Sequence, residues 1–232
     1  MNAYKHYSFD LWMTLIKSNP VYKQERVKFF YNNFNHAGKT LEEVAAIFRR
    51  VDLMCNAINE KTGGNIAAEE MYLMVISDMN NDSNAFEEVD VAALYNEMEQ
   101  LFFKHLPLVY CENTAGVLNG IRMGEGVTVS ILSNTAFIKG RTLREVLKMI
   151  ELERYFDFQL YSDEAGFSKP DSRIFRLMLN TVASARNEAV LNANEIVHIG
   201  DNVAADIGGA RAVGINSILV NSNNISITSL LN

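Results

Sequence analysis

The stretch FDLWMTL at residues 9–15 closes an apolar run on Asp10 and follows it with a hydroxyl at Thr14. A carboxylate at the end of a buried strand is costly unless a cation or hydrogen bonds compensate it. Alone, Asp10 reads equally well as a cap on the turn that follows. Farther on, HIGDNVAADIGGA closes another apolar run on Asp201 and places Asp206 about one helical turn beyond. Three acids brought to one crevice repel one another unless something positive joins them. Oxygen ligands of this kind suit Mg²⁺, which keeps several waters and is often bound together with phosphate. Asp206 has the alternative reading of a cap or ion pair within its own helix.

The opposite charge is available in GFSKPDSRIF, where Lys169 stands directly before Pro170. A proline in the first turn of a helix fixes the chain direction, so the lysine ahead of it can be aimed. The competing reading is a solvated surface lysine. VTVSILSN, residues 127–134, ends on Ser133 and Asn134. With Thr14 and the amides after the strands, these could bind an anion, although Ser or Thr beside a strand end is also a routine cap. His6, His36, His105 and His198 show no ligand spacing, and His198 is expected to satisfy its ring locally. GIRMGEG, residues 120–126, precedes its strand instead of joining strand to helix, so it reads as a turn.

Such residues meet only if the elements carrying them converge. The 232 residues are 48% hydrophobic and 21% charged, the proportions of a globular chain, with a net charge of −7. That charge gives no broad reason to bind nucleic acid or an anionic membrane. No stretch approaches membrane-spanning length, which makes the cytoplasm the expected location. Cys55 and Cys111 form no CxxC pair and are expected to be reduced and buried.

From about 20 to 105 the pattern is helical. Val27, Phe30 and Phe34 share a face, Thr40 and Glu43 have capping-box spacing, and the period continues from Val44 to Ile58 and from Val91 to Leu101. Residues 61–65 and 79–84 read as turns, with a shorter helix between them. After Pro107 strands alternate with helices: 127–134, a helix from Arg141 to Phe156 with Thr142 and Glu145 as a second capping box, FQLY, a helix from about Pro170, EIVHIGD, a helix stopped by Gly214, and SILV. The end beyond Val220 reads as loose or as a minor edge. This order implies a Rossmann-like three-layer α/β domain with a parallel sheet, residues 1–16 and 106–232, interrupted after its first strand by an all-helical cap, residues 17–105. Asp10, Ser133 and Asp201 would then end neighbouring parallel strands.

In this arrangement the chain resembles the haloacid dehalogenase-like (HAD) hydrolases. The resemblance rests on FDLWMTL, SILSNT, FSKPD and HIGDNVAADIGGARAVGI, in that order. It implies a magnesium-dependent, phosphatase-like hydrolase of a small phosphorylated metabolite, with Asp10 as the nucleophile of an aspartyl-phosphate. Mg²⁺ would be held by Asp10, the main-chain carbonyl of Trp12 and Asp201, with Asp206 supporting through water. Thr14, Ser133 and Lys169 would grip the phosphoryl oxygens, with Asn134 beside them. The departure is Trp12, where such phosphatases usually carry a second aspartate that protonates the leaving oxygen. An indole N–H cannot do this near neutral pH. Trp12 therefore also admits a 2-haloacid dehalogenase, or a catalytically weak protein that binds phosphate or a partner. The dehalogenases of the family dispense with Mg²⁺ and carry serine where this chain has Asp201, which favours the phosphatase branch. The sequence leaves the substrate and the oligomeric state open.

Overall fold

A computed structural model describes residues 4–81, 85–187 and 192–231. The chain opens with β1 (His6–Phe9), buried along its whole length, and then leaves the sheet through β2 (Ile16–Lys17). Four helices follow: α1 (Pro20–Phe34), α2 (Leu41–Thr62), α3 (Ala68–Met79) and α4 (Val91–Lys104). β3 (Leu108–Val109) returns and pairs antiparallel with β2, so a short two-stranded tie joins the two ends of the insertion. The remaining elements are α5 (Thr114–Arg122), β4 (Thr128–Ser133), α6 (Gly140–Met149), β5 (Phe158–Tyr161), α7 (Ser162–Ala165), α8 (Ser172–Arg186), β6 (Ile196–Gly200), α9 (Gly209–Ala212) and β7 (Asn216–Leu219).

The main sheet has the order β5-β4-β1-β6-β7 and every pairing is parallel. Read by position in the α/β part alone, this is 3-2-1-4-5, with the reversal of strand order at β1. Apolar layers cover both faces. One centres on Phe9, Val129, Leu143 and Val197, the other on Leu132, Ile174, Phe175 and Met178. A third core fills the helical insertion around Phe30, Phe48, Met71 and Tyr95. The expected α/β architecture with an inserted helical region is the one observed.

Local chemistry explains where the elements begin. Thr40 Oγ1 accepts from the amide of Glu43, whose carboxylate accepts from the Thr40 amide, so the expected capping box starts α2. Gly63 ends that helix in the left-handed conformation at φ 69°. The expected second capping box does not form. Lys139 is the residue before α6, and Thr142 is buried inside it, spending its hydroxyl on Glu99 and Tyr95 of the insertion. The spacing was right for a cap, but burial against a tertiary partner decided the role. The helix expected to reach Phe156 stops at Met149, Glu151 takes a positive φ, and a 3₁₀ turn covers Glu153–Tyr155.

Three other expectations change. α8 begins at Ser172 with Asp171 as its N-cap, so Pro170 lies outside the first turn, joined to Lys169 by a cis peptide bond. The segment after Asp201 is a π-helical turn, Val203–Gly208, that runs into α9. The tail is not loose: Ile227 is fully buried and a 3₁₀ turn, Ile227–Leu231, packs on α5. Cys55 is buried and Cys111 half-buried; both are free thiols. Of the turn expected at 79–84, Asp82 to Asn84 lie outside the described residues.

Candidate active site

Register places the chemistry. Phe9 lies opposite Ile131 on β4 and Ile199 on β6, and the amide of Asp10 continues the ladder by donating to the Ile199 carbonyl at 2.8 Å. Asp10 therefore emerges beside the ends of β4 and β6, at the crevice where strand order reverses. Asp10, Asp201 and Asp206 each bring a carboxylate oxygen within 4.8 Å of the other two. Lys169 joins this group while only 1% exposed. Its Nζ donates at 2.7 Å to Asp10 Oδ1, to Asp206 Oδ1 and to the Leu132 carbonyl.

The lysine is aimed by a clamp on its backbone. Asn134 Oδ1 accepts from the Lys169 amide at 2.7 Å, and Asn134 Nδ2 donates to the Lys169 carbonyl at 2.9 Å. On the other side, Thr14 Oγ1 donates to Asp10 Oδ2 at 3.2 Å and Ser133 Oγ donates to Asp10 Oδ1 at 3.3 Å. Thr14 returns to Asp10 because Met13 adopts φ 59° and turns the chain back. Asn221 Nδ2 fixes that turn by donating to the Met13 carbonyl at 2.7 Å.

Asp206 reaches the site from the π-helical turn. Asn202 Oδ1 accepts from the amides of Ala204 and Ala205, and the Asn202 amide donates back to Asp206 Oδ2. Gly200 makes room for this approach, since a Cβ there would lie 2.2 Å from Asp206 Cγ. His198, whose ring was expected to be satisfied locally, bonds Ser8 Oγ at 3.0 Å and Asp206 Oδ1 at 3.1 Å. It thus orients one of the acids, a connection that no ligand spacing announced.

Charge does not balance here. Three carboxylates face one ammonium, and burial keeps His198 neutral by lowering its pKa despite the Asp206 contact. Burial raises the Asp10 carboxyl to about 7, against the pull of Lys169 and with the push of Asp206. Burial and Asp206 together raise Asp201 to about 6. Asp206 is held below the ordinary range, because Lys169 and His198 outweigh its burial. Lys169 is held protonated, its desolvation outweighed by Asp10 and Asp206. The two negative charges left over equal those one divalent cation would neutralise, and hard carboxylate oxygens suit magnesium. The residues present fit that ion.

A cavity of about 870 Å³ opens from this cluster and is lined by both parts of the chain. Trp12 lines it half-buried, its ring 6.2 Å from that of Phe102. Arg26 and Glu60 enter from the insertion. Glu60 Oε1 accepts from Asn202 Nδ2 at 3.0 Å, directly tying α2 to the π-helical turn. Neither residue was legible as a site element, because each sits on a helix whose sequence pattern reports only its apolar face.

Residues 4–214 match the family of haloacid dehalogenase-like hydrolases. The chain belongs to that family. This HAD-like hydrolase is 30% identical over 162 residues to haloacid dehalogenase-like hydrolase domain-containing protein 3 of Bos taurus, covering 70% of this chain and 60% of that protein. It is 29% identical over 167 residues to the ribulose-1,5-bisphosphate 5-phosphatase of Halopiger xanaduensis, covering 70% of this chain and 62% of that one. The matches thus span about three fifths of those relatives' lengths. Among solved structures, the magnesium-bound HAD-hydrolase YfnB of Bacillus subtilis superposes with a TM-score of 0.71 at 16% identity, covering 97% of this chain and 91% of its own. That similarity is one of fold.

Proposed function

We propose that this HAD-like hydrolase cleaves a small phosphorylated metabolite in a magnesium-dependent reaction, with residues 17–105 acting as a cap over a catalytic core of residues 1–16 and 106–232. The observation that carries the reading is the uncompensated acid cluster of Asp10, Asp201 and Asp206 around a fully buried lysine. Magnesium, held by Asp10, Asp201 and the Trp12 carbonyl with Asp206 behind them, would draw charge from the phosphoryl oxygens when bound.

The chain's own residues account for the rest. Asp10 attacks phosphorus, the bond from phosphorus to the ester oxygen breaks, and an aspartyl-phosphate forms. Lys169, already 2.7 Å from Asp10, offsets repulsion between the carboxylate and the incoming anion. Thr14 and Ser133, which spend their hydroxyls on Asp10, turn them to the phosphoryl oxygens, with Asn134 holding Lys169 in line. Water then attacks phosphorus, releasing phosphate and restoring the Asp10 carboxylate. Trp12 offers no proton for the leaving oxygen. General acid–base assistance is typically worth roughly 10²- to 10⁴-fold, so this enzyme favours esters whose alcohol leaves unaided.

Dehalogenation is the second reading and rests on Trp12. Asp201 weighs against it, because a third carboxylate beside a 2-haloacid repels the substrate's own. The Halopiger xanaduensis relative, a ribulose-1,5-bisphosphate 5-phosphatase, supports the phosphatase reading, and we place the enzyme in the cytoplasm; no helix among the described residues is long and apolar enough to cross a membrane. Phosphate release from aryl, acyl and alkyl phosphates, measured with magnesium and with EDTA, tests the proposal. Metal-dependent release that ranks aryl and acyl above alkyl and is lost in Asp10→Asn is the expected result. Release equal to that of the Asp10→Asn variant, or halide release from 2-haloacids in EDTA, would contradict it.

A further inference from the structure

Arg26 lies on α1 and lines the same cavity as the acid cluster. Its guanidinium sits 5.4 Å from the ring centre of Tyr22 one turn earlier, 4.1 Å from Phe48 on α2 and 4.7 Å from Phe137. Phe137 belongs to the core and follows Asn134 by three residues, so Arg26 is held at the seam between insertion and core. Three aromatic faces fix the plane of the group by cation–π attraction. They supply no acceptor for its N–H bonds. Nε is buried without a hydrogen-bond partner, and no ion pair or hydrogen bond to Arg26 occurs among the described residues.

The other cations on the cavity wall differ. Lys28 is paired with Glu25 at 2.7 Å and Arg49 with Asp52 at 3.5 Å. Lys23 is exposed and hydrates freely. A buried, unpaired donor on a cation is costly to the fold. Such a cost, at a group preset in one plane and facing a cavity, is relieved when an anion arrives. A guanidinium presents a planar fork that matches a carboxylate or phosphate through two parallel hydrogen bonds.

We propose that Arg26 anchors a second anionic group, a carboxylate or a second phosphate, on the substrate whose phosphoryl group meets Asp10. This rests on the phosphatase reading above, and it narrows the substrate class to doubly anionic phosphate esters. The Asp10 end takes one anion with its lysine, and Arg26 takes the other. A singly phosphorylated neutral sugar or alcohol leaves the guanidinium unsatisfied.

Trp12 is the chain's single tryptophan and lines the cavity, so its fluorescence reads binding whether or not turnover follows. The titrations use two matched pairs in magnesium buffer, before product accumulates. The first pair is 3-phosphoglycerate against glycerol 3-phosphate, which tests a carboxylate. The second is fructose 1,6-bisphosphate against fructose 6-phosphate, which tests a second phosphate. In the wild type the doubly anionic member of at least one pair binds about tenfold or more tighter, as expected for a desolvated charge-assisted contact. Arg26→Met fills the aromatic cage without charge and brings that pair to within about threefold. Arg26→Lys keeps the charge without the fork and falls between. Equal binding within both wild-type pairs, or no binding of any of the four, overturns the inference even if no variant folds. An Arg26→Met variant that weakens both members of each pair equally also overturns it, since that marks a purely structural role. Failure of the phosphatase reading shows separately, as absence of magnesium-dependent phosphate release from aryl and acyl phosphates.

Discussion

Asp10 holds a proton more readily than a surface aspartate because burial strips its carboxylate of water and Asp206 repels it, while Lys169 restores only part of the loss. The consequence for stability has a definite sign. A carboxyl whose pKa rises from 3.8 unfolded to about 7 folded binds more protons in the folded state. Its ionisation therefore destabilises the metal-free protein progressively as pH climbs from about 4 through 7. Asp201, raised to about 6, acts in the same direction. His6, lowered to about 3 by burial, and His198, lowered by burial, act oppositely: each favours the fold above its unfolded pKa of 6.5 and loses that as pH falls. Asp206 is lowered, so its contribution is present above 3.8 and disappears only at lower pH. Comparing wild type with Asp10→Asn cancels the histidines. In EDTA the variant should melt higher than the wild type at pH 8, with the gap closing by pH 5. Magnesium should raise the wild-type Tm more at pH 8 than at pH 5. Thermal denaturation across that range checks both, and a gap that widens toward acid would contradict the charge assignment.

At the scale of elements, close packing between β6 and the π-helical turn is what delivers Asp206. Gly200 ends the strand with no side chain, and any Cβ there meets the Asp206 carboxyl at 2.2 Å. Gly200→Ala should therefore push Asp206 from Lys169 and His198 and weaken magnesium binding about tenfold, the scale of losing a group that supports a metal ligand. Calorimetric titration with Mg²⁺ measures it, and an unchanged affinity would mean the turn simply moves aside.

The same elements show how far sequence carries. Alternating strands and helices, and acids closing two of the strands, were legible because a buried parallel strand must be apolar until the residue that leaves it. The helices of the insertion were legible from their period, and the Thr40–Glu43 cap because its two hydrogen bonds are local. Thr142–Glu145 shows the same spacing without a cap, since Tyr95 and Glu99 arrive from far along the chain and take the hydroxyl. α5 went unread, and its last residues, Gly120 to Arg122, are helical where a turn was expected over 120–126. The π-helical turn was indistinguishable from an α-helix by spacing; within it the Ile207 amide donates to the Asn202 carbonyl five residues back. His198, Arg26 and Glu60 were illegible as site residues for one reason: their neighbours are set by tertiary approach, not by spacing.

For the whole molecule, the decisive feature is that neither part builds the cavity alone. The core presents Asp10 just after β1, Asp201 just after β6 and Lys169 from the turn before α8, while the insertion brings Tyr22, Arg26 and Glu60 to the same wall. Several bonds hold the parts together. Asn65 Oδ1 accepts from Ser162 Oγ at 2.6 Å, the Gly63 carbonyl from the Ser168 amide at 3.2 Å, and Tyr95 Oη from the Lys139 amide at 2.9 Å. A net charge of −7 on such a chain argues that anionic ligands are drawn by local cations, not by the overall field. Hydrolysis through Asp10 requires that Asp10 itself become phosphorylated. Intact mass and peptide mapping after incubation with acetyl phosphate and magnesium, quenched in acid, measure that directly. The expected result is one added phosphoryl group on Asp10, dependent on magnesium and slow to clear because Trp12 cannot help water attack it. An unmodified chain, or a phosphoryl group on any other residue, would contradict it.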